Sequence, residues 1–373
     1  MLDCIVVGAG PAGGSAAYHL AKRGRSVLVL EREALPRYKP CSGGVSPAIA
    51  AWFDFDFAPV IVQKVDTIRY TWKVGDPVEA VLNTPEPMWM VQRDKFDQHL
   101  MEQAVAVGAQ VQDQTEVLGI EFKGDHWQVN TSSGTMQARY LVAADGAKGP
   151  MAQWLGFPAR VCRMGAVLEV PASAVSPQAQ FDFGLLKNGF IWQFPKGDRY
   201  SIGTGILRGK DEQDLNDVLA DYAKKLKIDI SQAKIHQHPI CLWEGDEDLH
   251  GRQSLLAGEA AGVLDPMTAE GIRPSMFSGV KAAEAIDGAL AGNAQALAGY
   301  TQTMQEEWGK DMAWAAKLAG IFYRVPNIGY KVGVKRASAT DRLGKILCGE
   351  LRYADVANRA LKKLGGGLIP GLG

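Results

Sequence analysis

The sequence has no excess of either charge, no paired-cysteine pattern and no long apolar run. Its 40 basic residues balance 41 acidic ones, so the net charge of −1 gives no electrostatic reason to expect nucleic acid as a partner. Five cysteines without CxxC spacing argue against a disulfide framework or a zinc site, and they favour a reducing compartment. No uncharged apolar run is long enough to span a membrane, and the first strand leaves no room for a signal peptide. We therefore expect a cytoplasmic protein without a bound metal, whose contact with any membrane is peripheral.

The first thirty residues carry the most informative motif. An apolar strand at Asp3–Val7 runs directly into Gly8-Ala9-Gly10-Pro11-Ala12-Gly13, a GxGxxG fingerprint that leads into a helix. Gly8 allows the tight turn, Gly10 lets the backbone approach a pyrophosphate, and Gly13 lets the helix pack close to the strand. The free N–H groups at the start of that helix attract phosphate.

A second strand ends in an acid at the position where this motif binds ribose. Residues Ser26–Leu30 form the strand, and Glu31 follows it, 21 residues after Gly10. A carboxylate there accepts hydrogen bonds from a ribose 2′-OH and argues against a 2′-phosphate. A Gly-rich turn in an ordinary α/β core is the alternative, but strand, turn, helix, second strand and acid together predict a dinucleotide-binding fold.

Two further segments have the composition of ligand-binding loops. The loop from Leu35 to Gly44 holds two prolines and two glycines around Cys41, so its path is fixed and its backbone can approach a ligand. A structural loop around a buried cysteine is the alternative. Arg93 stands just before a helix that ends at Gly108, where its side chain either reaches a ligand or lies on the surface.

Two later strands are each followed by an acidic residue, as strands that bind ligands in open α/β sheets often are. Residues 139–144 form a buried strand that ends at Asp145-Gly146, although a plain Asp-Gly turn has the same sequence. Ser254–Gly262 repeats the pattern of apolar strand, small residues and one acid, Glu259. Ala269–Pro274 then opens a second helix, whose N-terminus we expect close to the first domain.

Residues 160 to 250 have a different pattern, with short alternating strands. Lys187-Asn188-Gly189 is a hairpin signal between two of them. His236 and His238 share one face of a strand without a third ligand nearby, and we interpret them as surface or core residues. Aromatic side chains on these strands either wall an apolar pocket or fill the core; they are Phe181, Phe183, Phe190, Trp192 and Phe194.

In this order the segments resemble the flavoprotein monooxygenase-like (p-hydroxybenzoate hydroxylase-like) fold family, and more narrowly its geranylgeranyl reductase branch. The motifs that carry the family resemblance are Gly8 to Gly13 with Glu31, Asp145-Gly146, and Gly258-Glu259-Ala260-Ala261-Gly262 with Glu270-Gly271-Ile272. The loop from Pro36 to Gly44 and the run Phe190-Ile191-Trp192-Gln193-Phe194-Pro195 resemble motifs of the branch.

The resemblance implies an α/β (α+β) architecture. It comprises a Rossmann-like FAD-binding domain, a discontinuous antiparallel β-sheet substrate domain and a helical C-terminal region. The FAD-binding domain is expected at residues 1–60, 93–158 and 252–300, the substrate domain at 61–92 and 159–251, and the helical region at 301–373.

By the same resemblance the cofactor is FAD, and each motif has a role. Glu31 would bind the adenosine ribose, Arg93 the phosphates or ribityl chain, and Glu259 the ribityl hydroxyls. Gly271 and Ile272 would offer N–H groups to the isoalloxazine ring, which is anionic when reduced by two electrons. The implied cofactor residues are Gly8, Gly10, Pro11, Ala12, Gly13, Glu31, Arg32, Cys41, Ser42, Gly44, Arg93, Val117, Asp145, Gly146, Glu259, Gly271 and Ile272, and the implied catalytic residues are Cys41, as a candidate proton donor, and Trp192.

The implied activity is reduction of isolated C=C bonds in a polyisoprenoid chain, in a tunnel walled by Trp192, Phe194 and the region of Trp89. No second GxGxxG occurs, so we expect the electron donor, NADPH or a ferredoxin-like protein, to visit transiently. The alternatives are a flavin-dependent aromatic hydroxylase or halogenase, and a non-catalytic flavin-binding or lipid-binding protein. Membrane contact through the Lys- and Arg-bearing C-terminal helices is a further hypothesis, with a solvated helix face as its alternative.

Overall fold

A computed structural model of the chain describes residues 1–209, 213–245 and 247–358. Residues 359–373, which include the Gly-rich stretch from Gly365 and the end of the predicted C-terminal region, lie outside the described residues. In chain order the strands are β1 (Leu2–Val7), β2 (Val27–Leu30), β3 (Gly44–Val45), β4 (Ile61–Val65), β5 (Thr67–Trp72), β6 (Gly75–Val81), β7 (Met88–Val91), β8 (Gln110–Gln112), β9 (Val117–Phe122), β10 (Trp127–Thr131), β11 (Gly134–Ala143), β12 (Arg163–Pro171), β13 (Ala179–Phe183), β14 (Gly189–Pro195), β15 (Arg199–Ile206), β16 (His236–Ile240), β17 (His250–Gly251) and β18 (Ser254–Leu256).

The helices are α1 (Pro11–Lys22), α2 (Arg93–Ala106), α3 (Met151–Trp154), α4 (Leu215–Leu226), α5 (Ile272–Leu290), α6 (Ala296–Thr303), α7 (Lys310–Arg324), α8 (Pro326–Gly329) and α9 (Ala337–Leu347). Short 3₁₀ turns lie at Pro47–Trp52, Ala58–Val60 and Gly258–Ala261, and π-helical segments lie at Met304–Gly309 and Tyr330–Val334.

Strand β1 lies inside the first sheet, whose order is β17-β18-β11-β1-β2-β8. It pairs in parallel with β2 and with β11, and β11 pairs in parallel with β18. Residues Cys4–Val7 are buried on both faces, as is typical of a parallel strand covered on both sides. Helix α1 follows β1 and packs against α5, where a Cβ at Gly279 would contact the carbonyl oxygen of Ala12. The glycine therefore lets the backbones of the two helices touch.

Strand β11 is longer than the sequence predicts. We expect a short strand at Thr135–Ala138 and a separate buried strand after it, but the structure joins them into one. Its first half pairs antiparallel with β10, and its second half pairs in parallel with β1. The two halves look like separate strands in the sequence because they pair with different neighbouring strands. The strand ends at Ala143, just before Asp145.

The second sheet has the order β16-β12-β15-β14-β13-β5-β6, and a third small sheet has the order β3-β7-β4. Apart from the parallel pair β13 and β5, neighbouring strands of the second sheet are antiparallel. The hairpin between β13 and β14 turns at Asn188, whose φ is 61°. The predicted fold class is confirmed, whereas the exact limits of the domains stay a prediction.

The expectation that the cysteines form no disulfide is wrong for one pair. Cys162 and Cys241 are bonded, and they lie just beyond the paired residues Arg163 and Ile240 of β12 and β16. Continuing that antiparallel register places the two cysteines opposite each other. Because the two cysteines are 79 residues apart in sequence, their spacing does not predict that they pair. Cys4, Cys41 and Cys348 are free.

The chain after α5 is helical through α9, as the sequence predicts. Trp308 donates a hydrogen bond from Nε1 to the carbonyl oxygen of Val263 at 2.9 Å, and Tyr353 donates one to Asp265 at 2.7 Å. These contacts attach the C-terminal helices to the segment between β18 and α5. Among the described residues, no helix combines the length and apolar character needed to cross a membrane.

Candidate active site

A cavity of about 470 Å³ lies where the first sheet, the second sheet and the start of α5 meet. The GxGxxG turn, Glu31, the Cys41 loop and the residues after β11 line it on one side. Strands β13 and β14 line it on the other side with Phe181, Phe190, Trp192 and Phe194. The cavity therefore has a polar region at the dinucleotide motif and an aromatic wall on the second sheet.

The glycine-rich turn has the tight geometry that its sequence predicts. Gly8 has a φ of 104°, and a Cβ there would contact the carbonyl oxygen of Ala144. A Cβ at Gly13 would contact the carbonyl oxygen of Gly8, so Gly13 packs behind the turn and does not line the cavity. At Gly10 the nearest atom to a Cβ is Arg37 Nη2 at 3.8 Å, which leaves this face of the turn open. An extended anion can approach the backbone there.

Glu31 belongs to a buried network of two acids and two arginines. Its Oε2 accepts hydrogen bonds from the Ala9 N–H and from Arg37 Nε, both at 3.0 Å. Arg37 Nη1 also donates to Asp97 at 2.9 Å, and Arg93 donates twice to the same carboxylate at 2.8 Å. Desolvation opposes the charge on Arg37, but Asp97 and Glu31 outweigh it and raise the arginine pKa. The network fixes Glu31 and Arg93 beside the glycine-rich turn.

A second polar group forms around Glu259. Its Oε2 lies 3.0 Å from His238 Nε2 and 3.5 Å from Lys39 Nζ, and Lys39 lies 3.1 Å from the same histidine nitrogen. Burial alone would raise the pKa of Glu259, but Lys39 and His238 overcome it and lower the pKa to about 2. Burial lowers the pKa of Lys39, against the attraction of Glu259. The carboxylate of Glu259 is therefore held in its charged form at the cavity.

Asp145 presents an unsatisfied oxygen. Its Oδ2 accepts a hydrogen bond from the N–H of Met151 at 2.9 Å, at the start of α3, while Oδ1 is buried without a partner among the described residues. Burial raises the pKa of Asp145 to about 6, against the backbone donor, which lowers it. Gly149 has no room for a Cβ because the Asp145 carboxylate occupies that position. A hydroxyl or N–H donor in the cavity would satisfy this oxygen.

The Cys41 loop is tied to the second sheet through its backbone. The carbonyl oxygen of Cys41 accepts hydrogen bonds from Lys196 Nζ at 2.9 Å and Ser201 Oγ at 3.2 Å. Lys196 is 1% exposed and pairs with Glu169 at 2.8 Å. Trp192 Nε1 lies 3.4 Å from the Ser201 hydroxyl. Ser201 therefore contacts both the Cys41 loop and Trp192 of the aromatic wall.

The structure brings most of the predicted site residues together. Gly8, Gly10, Pro11, Ala12, Glu31, Arg32, Cys41, Ser42, Gly44, Arg93, Val117, Asp145, Gly146, Trp192, Glu259, Gly271 and Ile272 all line the cavity. The exception among them is Gly13. The region of Trp89 reaches the cavity through Met88, whereas the alternation of β7 turns Trp89 itself toward Phe57, with ring centroids 5.9 Å apart.

Sequence reasoning missed several charged or titratable residues of the site. His238 lines the cavity and contacts Glu259, so its interpretation as a surface or core residue is wrong. His236 also lines the cavity, with its ring 4.7 Å from that of Tyr38. Others that were missed include Arg37, Lys39 and Asp97. Two signals were present in the sequence: the composition of the loop that holds Arg37 and Lys39, and the i, i+4 spacing of Arg93 and Asp97. In the described residues no three His, Cys, Asp or Glu side chains form a group that could hold a metal ion.

The cavity fits an extended dinucleotide cofactor with a ring system. The open glycine turn suits a pyrophosphate, Glu31 suits a ribose hydroxyl, and the unpaired oxygen of Asp145 requires a donor. The N-terminus of α5 at Gly271 and Ile272 faces the same space. These features define a dinucleotide-binding site of the Rossmann-like class.

Comparisons with known proteins agree. Residues 1–187 match the family model described as an FAD binding domain. An uncharacterized protein of Methanosarcina barkeri is 30% identical over 292 residues, which are 77% of this chain and 75% of that protein. Digeranylgeranylglycerophospholipid reductase 2 of Methanopyrus kandleri is 28% identical over 87% of each chain. A geranylgeranyl bacteriochlorophyll reductase-like protein of Thermoplasma acidophilum has the same fold, with a TM-score of 0.78, 22% identity, and coverage of 93% and 91% of the two chains.

The chain therefore belongs to the family defined by this FAD binding domain, and it is a geranylgeranyl reductase-like FAD-dependent oxidoreductase. Its cofactor is FAD, as the sequence predicts. A flavin-dependent brominase shares the fold with a TM-score of 0.72 at 20% identity, which is a likeness of fold alone.

Proposed function

We propose that the protein reduces isolated C=C bonds of a polyprenyl lipid. The observation that carries the proposal is one continuous cavity in which the dinucleotide motif meets an aromatic wall of Phe181, Phe190, Trp192 and Phe194. Relatives named as reductases of geranylgeranyl lipids support this class of substrate. When bound and reduced, FAD supplies the hydride.

The protein's own residues bind and orient the two reactants. In this proposal the turn from Gly8 to Ala12 holds the pyrophosphate, Glu31 the ribose, and Glu259 the ribityl hydroxyls. Gly271 and Ile272 donate N–H groups to the ring. Because an unactivated alkene develops no oxyanion, catalysis depends on positioning the chain and on excluding water. Trp192 supplies part of the wall, and Cys41, which lines the same cavity, is a candidate proton donor whose role stays a prediction.

The source of electrons belongs to the proposal as well. No second GxGxxG is present, so NADPH or a ferredoxin-like protein is proposed to deliver electrons during a transient visit. Contact with a membrane surface is proposed because polyprenyl substrates reside in lipid. The proposed reduction does not depend on which electron donor is used or on membrane contact.

The test is anaerobic incubation of the FAD-loaded protein with dithionite and prenyl lipids, followed by mass spectrometry. The proposal predicts products heavier by two hydrogens for each bond reduced. A hydroxylase or halogenase would give no product without O₂, and an oxygenated or halogenated product in air would overturn the proposal. FAD-bound protein that leaves every prenyl substrate unchanged would instead support a binding function.

A further inference from the structure

The helices that follow the π-helical segment at Met304–Gly309 carry an exposed apolar stripe. We call it the C-terminal stripe, and it consists of Ile321, Val325, Ile328 and Val332, which are 68%, 45%, 58% and 50% exposed. Ile321 lies on α7, Val325 is the non-helical residue between α7 and α8, Ile328 lies on α8 and Val332 lies in the π-helical segment, so the four exposed side chains follow one another along this part of the chain. Large aliphatic side chains are rarely clustered on a surface that faces only water.

Basic residues surround the stripe without acidic ones. From Met312 to Thr340 the sequence has five Lys and Arg residues and no Asp or Glu, although the whole chain has a net charge of −1. All five are exposed: Lys317, Arg324, Lys331, Lys335 and Arg336. Lys335 pairs with Asp76 at 2.6 Å, whereas the described residues offer no acidic ion-pair partner to Arg324, Lys331 or Arg336. This part of the surface is therefore both apolar and positive.

The opposite side of the same segment packs toward the cavity. Phe322 lies against Phe183, with ring centroids 5.2 Å apart, and Tyr330 lies 5.7 Å from Trp72. Phe183 in turn lies 6.1 Å from Phe190, which lines the cavity. The stripe is thus separated from the cavity wall by a layer of aromatic side chains. The Tyr330 hydroxyl also donates to the carbonyl oxygen of Asp76 at 2.6 Å, which fixes the segment in place.

We propose that the C-terminal stripe lies on an anionic lipid bilayer, with the apolar side chains at the boundary of headgroups and acyl chains. Basic side chains beside an apolar face are typical of helices that lie in a membrane surface. The charge argues against a second copy of the chain, because two such surfaces would bring together eight basic side chains without an acidic ion-pair partner among the described residues, even with Lys335 of each copy paired to Asp76. Four aliphatic side chains in a row favour acyl chains over a polar acidic protein.

The test uses the full-length FAD-loaded protein and two kinds of vesicle, pure phosphatidylcholine and an equal mixture with phosphatidylglycerol. We expect the wild type to sediment with the mixed vesicles, and salt to weaken this binding. Ile321→Asp with Ile328→Asp, and separately Arg324→Glu with Lys331→Glu, should each reduce the bound fraction at least tenfold. The matched controls are Val105→Asp on α2, at a residue that is 51% exposed, and Lys224→Glu with Lys225→Glu on α4; they should bind as the wild type does.

Each variant must keep the melting temperature and FAD content of the wild type, since all the substituted residues are exposed. Equal binding of the stripe variants and the controls would overturn the proposal. The proposal would also be overturned if the wild type bound neither kind of vesicle but bound a soluble acidic protein through the stripe. A wild-type dimer that the stripe substitutions dissociate would overturn it as well. Because sedimentation requires no turnover, its result is independent of the proposed reduction.

A separate observation concerns the cavity itself. Glu270 lines it just before α5, its side chain is 11% exposed, and its Oε1 is buried without a hydrogen-bond partner among the described residues. Its Oε2 lies 3.4 Å from Arg273 Nε. Asp265, whose carboxylate accepts the Tyr353 hydroxyl, and the Cys348 thiol are its other titratable neighbours. Burial raises the pKa of Glu270, Arg273 opposes that shift, and Asp265 adds to it, which favours the protonated carboxyl.

Given the proposed function, we infer that Glu270 supplies the proton of the reduction. The hydride forms a C–H bond at one alkene carbon, and the π electrons form a C–H bond at the other with the carboxyl proton. Glu270 is left as a carboxylate, which takes a proton from solvent before the next turnover. The sulfur of Cys41 instead accepts a hydrogen bond from the Gly43 N–H at 3.4 Å.

Glu270→Gln tests this inference because the amide keeps the shape of the side chain and removes the acid. The variant should bind FAD and be reduced by dithionite as the wild type is, but oxidation of its flavin by a prenyl substrate should slow by about 10²-fold or more. Glu270→Asp should recover part of the rate, and the wild-type rate should fall as pH rises through the carboxyl pKa. An unchanged rate in Glu270→Gln, or a loss confined to Cys41→Ala, would overturn the inference. A wild type inactive on every prenyl substrate would overturn the proposed function instead.

Discussion

Lys196 is a buried cation whose contacts support the Cys41 loop. Its side chain is 1% exposed and donates both to the carbonyl oxygen of Cys41 and to Glu169. Lys196→Met should lower the free energy of unfolding by about 3 kcal/mol, because it breaks a buried ion pair and removes one of the two donors to the Cys41 carbonyl oxygen. Denaturant unfolding measures the change.

The neighbouring Arg199 provides the control for this prediction. It pairs with the same Glu169 but is 38% exposed, so Arg199→Met should cost less than about 1 kcal/mol. Removing both members of the buried pair, in Lys196→Met with Glu169→Met, should restore part of the stability. Equal losses in the two single variants would contradict a special role for the buried lysine.

Asp145 makes the stability of the FAD-free protein depend on pH. Because burial raises its pKa from 3.8 to about 6, the folded state binds the proton more tightly than the unfolded state does. Its contribution is fully present below about pH 4 and is lost as pH rises to about 6, which amounts to about 3 kcal/mol. Unfolding of the FAD-free protein across this range should show the loss, and Asp145→Asn should remove it. A variant with the same pH dependence as the wild type would show that another group titrates.

At the scale of elements, the turn between β1 and α1 depends on close backbone contact. A Cβ at Gly13 would strike the carbonyl oxygen of Gly8, which cannot move without changing the turn. Gly13→Ala should therefore abolish measurable FAD binding in a titration, even though the residue does not line the cavity. Gly119→Ala on β9 is the control, since nothing lies within 4 Å of a Cβ there, and it should bind FAD normally.

The sequence predicts elements well where one segment carries the whole signal. The turn from Gly8 to Gly13, the acid at Glu31 and the hairpin at Asn188 are local patterns, and the structure has each of them. Strand β11 was divided in the prediction because its two halves pair with different neighbours, a fact that only the assembled sheet contains.

The polar networks were missed for a related reason. Lys39 contacts His238 across 199 residues of sequence, and Lys196 contacts Cys41 across 155. In the sequence, an isolated charged residue on a loop or strand has the pattern of a surface residue. Only the packing of the two sheets in the folded chain shows its partner. The Cys162–Cys241 disulfide was missed in the same way, because only the register of β12 and β16 brings the two cysteines together.

At the scale of the whole molecule, the cavity exists because two sheets and the start of α5 meet around it. The first sheet contributes the nucleotide-binding turn and its acids, and the second contributes aromatic side chains on β13 and β14. The C-terminal helices pack against the second sheet, where Phe322 contacts Phe183, and they carry the exposed C-terminal stripe. The chain therefore combines a flavin site and an aromatic-walled cavity with the exposed C-terminal stripe, which we propose lies on lipid.

The most direct test of this account is a single turnover without oxygen. FAD-loaded protein is reduced with dithionite, the excess is removed, and one equivalent of a geranylgeranyl lipid is added while flavin absorbance and product mass are followed. The account predicts that the flavin becomes oxidised as the lipid gains two hydrogens, in equal amounts. A flavin that stays reduced while the unaltered lipid is recovered would contradict it.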